Sequence, residues 1–156
     1  EGTKRITDAD IEANIGISKD YNNFELCKAV ATRDMARALM IAEHFARNPK
    51  DNPLLVTVLA LFGQFKELFV VNYLRWLSRH KGTAFPPDPE LMRILKKSNV
   101  YVIGEIKQNA ANWDNRKVFN ILGLLREYDA KSKGMNAGGA SDGELLRELL
   151  LKIFML

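Results

Sequence analysis

NPLLVTVLALFGQFKELFVVNYLRWLSR, residues 52–79, decides the fold. Asn-Pro is a favoured N-cap followed by a proline at the first helical position, where its missing N–H is not needed. The spacing that follows predicts one long helix, Leu54–Arg79, roughly 35–40 Å long at 1.5 Å per residue. Leu55, Val58, Leu59, Phe62, Phe65, Phe69, Tyr73 and Trp76, then Leu54, Leu61, Leu68 and Leu77, occupy most of its circumference. A helix apolar on so many sides is packed on several of them and serves as a spine. The same run is long enough to tempt a membrane reading. Gln64, Lys66, Glu67, Asn72 and Arg75 oppose it, because such residues are costly in hydrocarbon.

Working outward from the spine, the pattern stays helical and no strand signal of any length occurs. Towards the N-terminus, Thr7-Asp-Ala-Asp10 reads as a cap with an acidic first turn and Gly16 as a stop, predicting a short helix, Asp8–Ile15. Ile17–Asp20 reads as a linker. A helix from Asn23 is expected to turn Phe24, Cys27 and Val30 inward. Thr32 is expected to cap the next, with Met35, Ala38, Leu39, Ala42 and Phe45 at helical spacing.

Towards the C-terminus, Asp88-Pro89 repeats the cap-plus-proline device and opens a short helix through Lys96. Ser98 or Asn99 starts another, with Val102, Ile103, Ile106 and Ala110 inward. Asp114 caps the next, which buries Val118, Ile121, Leu122 and Leu125. Met135–Ala140 is small and Gly-rich, so an exposed or flexible loop is expected. Ser141 and Glu144 have capping-box spacing. The last helix carries Leu145, Leu146, Leu149, Leu150, Ile153 and Phe154. The expected fold is all-α, with seven or eight helices around the long central one.

Composition narrows the functional classes. The net charge of +4 permits nucleic acid as a partner without requiring it. The single cysteine, Cys27, excludes an internal disulfide framework and fits a reducing, cytoplasmic setting. The chain begins at Glu1, which suggests a piece of a longer protein or a tag remnant. No GxxxxGK[ST] phosphate loop and no HExxH motif occur. His44 and His80 lie far apart, and too few soft ligands exist for zinc. No catalytic constellation, cofactor or metal is expected.

LLREYDAKSKG, residues 124–134, is the most distinctive local cluster. Glu127 precedes Lys131, and Asp129 precedes Lys133, by four residues each, in the better orientation for helical ion pairs. Gly134 then ends the helix. Tyr128 has two readings. It completes the inward face that runs through Ile121 and Leu125, or it stands at the surface beside Arg126, Lys131 and Lys133. In the second case the ring suits an unpaired base and the cations suit phosphate.

Four segments in order carry a family resemblance. KRITDADIEANIG, NFELCKAVATRDMARALMIAEHF, the long central helix, and Asp129–Lys133–Gly134 with the leucine-rich last helix resemble the delta subunit of the bacterial DNA polymerase III clamp loader. Bacteroides-type members are the most similar in phrasing. In the second segment, Phe24 and Leu26 precede a helix hairpin with small residues, Ala29, Ala36 and Ala38, at its contact.

The resemblance implies that residues 1–20 end a lid domain and its linker, and that 21–156 form a C-terminal helical collar domain. It implies an oligomerisation role in loading the sliding clamp onto primed DNA during replication, with no ATPase site of its own. The implied partners are the gamma/tau and delta-prime subunits, primed-template DNA in the assembled loader, and the sliding clamp through an N-terminal domain absent here. It places Tyr128, with Lys131 and Lys133, near the template strand. The excess of apolar positions on the last helix adds Leu146, Leu150 and Phe154 as expected subunit contacts. The alternatives are a stand-alone helical DNA-binding or regulatory domain, which needs an exposed basic recognition helix, and a small helical enzyme, which needs a pocket of titratable groups.

Overall fold

The computed structural model describes Thr7 and residues 20–156. The expected helix Asp8–Ile15 and most of the linker lie outside the described residues. Seven helices and no strand occur among the described residues: α1 (Asn23–Ala31), α2 (Met35–Arg47), α3 (Leu54–Lys81), α4 (Asp88–Leu95), α5 (Val100–Ala110), α6 (Asn115–Ser132) and α7 (Asp142–Phe154).

The central helix is α3, two residues longer at its C-terminal end than expected, and it closes on Gly82 in a left-handed conformation. It packs against α1, α5, α6 and α7, while α2 bridges α1 and α7. Its length and composition would suffice to cross a membrane. Leu54, Val58, Leu61, Phe65, Leu68 and Val71 are its core residues. Phe65 meets Trp113 edge-on, with ring centroids 5.4 Å apart.

The polar residues of α3 have definite work. Helix C-termini leave carbonyls without intrahelical partners. Asn72 Nδ2 donates to the Ala110 and Trp113 carbonyls at 3.1 and 2.6 Å, and Arg75 Nη2 to the Lys107 carbonyl at 2.8 Å. Gln64 Nε2 donates to the Cys27 carbonyl at 2.8 Å. The spine therefore satisfies the ends of α1 and α5 with the residues that argue against a membrane span.

Several local expectations are corrected. The cap of α2 is Asp34, whose carboxylate accepts from Arg37 N at 3.1 Å, while Thr32 closes α1. Pro53, not Asn52, occupies the cap position of α3. The Leu54 N–H instead donates to Asp142 Oδ2 of α7 at 2.9 Å, a cap supplied from 88 residues away. Ala29 and Ala38 are buried where α1 meets α2, but Ala36 is exposed. The closest approach lies elsewhere: a Cβ on Gly143 would come within 2.5 Å of Ala46 Cβ, so α7 crosses α2 at a glycine. Phe24 and Met35 face outward, as do Leu59, Phe62, Tyr73 and Trp76 on α3. The neighbours of α3 cover only part of its apolar circumference.

Nor does Asp88 cap α4: Pro87 holds that position, Asp88 pairs with Lys107 at 2.8 Å, and the helix ends at Leu95. The remaining caps agree with the sequence. Asn99, Asp114 and Ser141 cap α5, α6 and α7, and Ser141 forms the full capping box with Glu144. In the Gly-rich loop, Gly138 and Gly139 adopt positive φ, while Ala137 and Ala140 pack on the core.

Candidate functional site

Tyr128 continues the inward face of α6 from Ile121 and Leu125, and its side chain is 0% exposed. Lys131 Nζ lies 4.5 Å and Lys152 Nζ 5.3 Å from its ring centroid. Each cation is also neutralised. Lys131 pairs with Glu127 at 2.9 Å and reaches Glu148 at 3.9 Å, and Lys152 pairs with Glu148 at 3.0 Å. The hydroxyl is out of solvent and makes no hydrogen bond of regular geometry, although Glu148 and Lys152 lie alongside. Burial, then Glu148, push its pKa up, while its hydroxyl and Lys152 hold the Glu148 carboxylate below its ordinary range.

This geometry corrects the expected DNA contact. A base stacks only on an open ring face, and α7 covers the Tyr128 ring. Lys131, with its side chain 16% exposed, is committed to carboxylates. Only Lys133 of the three stands at the surface, paired with Asp129 at 2.9 Å. The cluster is a seam between α6 and α7.

Two of the three expected contacts on α7, Leu146 and Leu150, are corrected for the same reason. Leu146 and Leu150 are core residues, and Phe154 packs half-buried against the core. The helix carries more apolar positions than one face needs because it packs against α2, α3 and α6 at once.

The open apolar surface lies between α3 and α6. Leu59 and Phe62 from α3 and Phe119 and Leu122 from α6 line a groove of about 760 Å³ over buried Val58 and Leu125. Phe119 is 70% exposed and Phe62 40%. Arg126, Asp129 and Lys133 form its charged end. Phe24 of α1, 71% exposed, shares an adjoining cavity with Leu59, so apolar surface continues across three helices. The sequence carries a signal for this. Phe119 and Leu122 form a second apolar stripe on α6, out of phase with Val118, Ile121 and Leu125. One packed face explains only the latter.

Burial, then Glu67, push the Cys27 thiol up to about 12, which keeps it protonated and poorly nucleophilic at neutral pH. Among the described residues no group of three His, Cys, Asp or Glu could hold a metal ion. No protein-family model, curated protein or solved structure matches the chain.

Proposed function

We propose that the chain is a subunit-assembly module, the collar-type domain of a clamp-loader delta subunit that supports loading of the sliding clamp onto primed DNA. The observation that carries this reading is the open groove formed by Leu59, Phe62, Phe119 and Leu122 with its charged end. A contiguous exposed apolar surface with a polar rim is the usual mark of a protein partner. The order of the four segments that resemble the delta family supports the identity of that partner as other loader subunits. The chain itself contributes no ATPase site in this reading.

The test is co-purification with the gamma/tau and delta-prime subunits. Phe119→Asp and Phe62→Glu should abolish or strongly weaken assembly while leaving the circular dichroism melt of the chain close to wild type, because both side chains project from the fold. Unimpaired assembly by both variants would remove the groove as the interface. Failure of the wild-type chain to join these subunits would remove the loader reading.

A further inference from the structure

A second open surface lies on the C-terminal half of α3, beyond the groove. Tyr73, Trp76 and His80 are spaced three and four residues apart and so share one helix face. The Tyr73 and Trp76 rings are 12° from parallel with centroids 6.2 Å apart, and the Trp76 and His80 rings 22° from parallel at 5.1 Å. Both pairs are within stacking range, so the rings cover part of one another, yet Tyr73 stays 47% exposed. Trp76 is 46% exposed, and His80 Nδ1 is held 3.0 Å from the Trp76 carbonyl.

Arg75 and Arg79 line the same concavity, which measures about 890 Å³ and is bounded on its far side by Ala110, Ala111 and Asn115. Neither arginine has a carboxylate partner, although eight ion pairs form elsewhere among the described residues. Burial, then the charge of Arg79, lower the pKa of Arg75, so the two guanidiniums repel each other. The one acid lining the surface, Asp114, is engaged in capping α6 through Lys117 N at 2.9 Å. Asn115 Oδ1 is out of solvent without a donor. Cations in the last turn of α3 also complement the helix dipole. That accounts for Arg79, and the 2.8 Å bond to the Lys107 carbonyl accounts for one arm of Arg75, but neither accounts for the exposed rings.

We propose that the Tyr73–Trp76–His80 ladder, with Arg75 and Arg79, binds single-stranded nucleic acid, the rings stacking on unpaired bases and the guanidiniums holding phosphates. Stacking platforms flanked by backbone-binding cations are the general solution for strands whose bases are free. Duplex bases are stacked on each other and cannot use the rings. This assignment stands on the local geometry and holds whether or not the chain joins a loader.

The test uses the 156-residue chain and a fluorescein-labelled oligo-dT of about 15 nucleotides at about 50 mM salt. Anisotropy reads binding. Tryptophan emission reads the site, because Trp76 is exposed while Trp113 is fully buried under Arg33. Saturable binding with quenched emission is expected, displaced by unlabelled oligo-dT and much less by a duplex of equal length. Trp76→Ala should weaken binding about five- to hundredfold, and Trp76→Phe should recover most of it. Arg79→Gln should reduce the slope of log K against log salt by about 0.7. No saturable binding, equal binding of duplex, wild-type affinity in Trp76→Ala, or equal quenching by an acidic peptide would each overturn the proposal.

Discussion

Tyr128 and Trp76 stand in neighbourhoods of similar composition, each an aromatic ring on a helix with cations within one turn, and the fold treats them in opposite ways. At Tyr128 the cations come with carboxylates, and α7 lies across the ring. At Trp76 the ring is 46% exposed, and among the described residues no carboxylate pairs with Arg75 or Arg79. The first is a structural seam and the second is an open surface. An aromatic residue among cations is therefore a statement about composition. Whether it is a site depends on what neighbouring element covers the ring and whether acids answer the charge.

The sharpest way to break this comparison is truncation of each ring. Tyr128→Ala should cost about 3–5 kcal/mol, the usual range for deleting a buried aromatic, and Trp76→Ala less than about 1 kcal/mol, both read by urea denaturation at neutral pH. Comparable losses at the two positions would mean that Trp76 is a packing residue. Tyr128→Phe should cost at most about 1 kcal/mol, the loss of one weak contact between the hydroxyl and Glu148.

A second test probes how tightly α7 is held over α2 and α6. Gly143→Ala places a methyl 2.5 Å from Ala46 Cβ, where both partners are short and neither can rotate away. The cost should be about 1–3 kcal/mol, with a correspondingly lower thermal midpoint. An unchanged midpoint would show that α7 can shift, and that the cover over Tyr128 is looser than the packing implies.

The smallest effect concerns alkaline pH. Cys27, raised from 9.0 to about 12, keeps its proton in the native state while the unfolded chain loses it first. Its contribution to stability is complete below pH 9 and is lost as pH rises towards 12. Tyr128, raised by the same cause, acts in the same direction above its ordinary pKa of 10.0. Cys27→Ala should flatten the fall in stability between pH 9 and 12, and Tyr128→Phe should flatten it further at the upper end. An unaltered slope in both variants would mean that neither group is desolvated in solution.

Much of the architecture was legible because its signals are local. The capping box at Ser141–Glu144, the cap at Asp114 and the apolar run of α3 each need only a few adjacent residues to be read. The misread caps were those with a distant or competing partner. Asn52 lost its place because Asp142, remote in sequence, serves the Leu54 N–H. Thr32 lost its place because Asp34 stands two residues nearer the first turn.

The candidate surfaces were harder to read because apolar residues look alike whichever side they face. Phe62 and Phe65 are three positions apart on one helix, yet one is 40% exposed and the other fully buried. Leu146 and Leu150 looked like surplus for an interface and were consumed by three neighbouring helices. Leu122 looks like part of the packed face of α6 in the sequence, yet with Phe119 it lines the open groove.

Periodicity and capping chemistry, written in the sequence alone, determined that this protein is a set of helices around one long spine. Backbone hydrogen bonds within a helix join residues only a few positions apart, so the information lies within that reach. Tertiary structure alone decided which of two apolar stripes on α3 and α6 is covered, that Tyr128 is sealed by α7, and that Trp76 is left open. Burial is a relation between elements distant in the chain, and four neighbours cannot enclose every side of a helix 28 residues long.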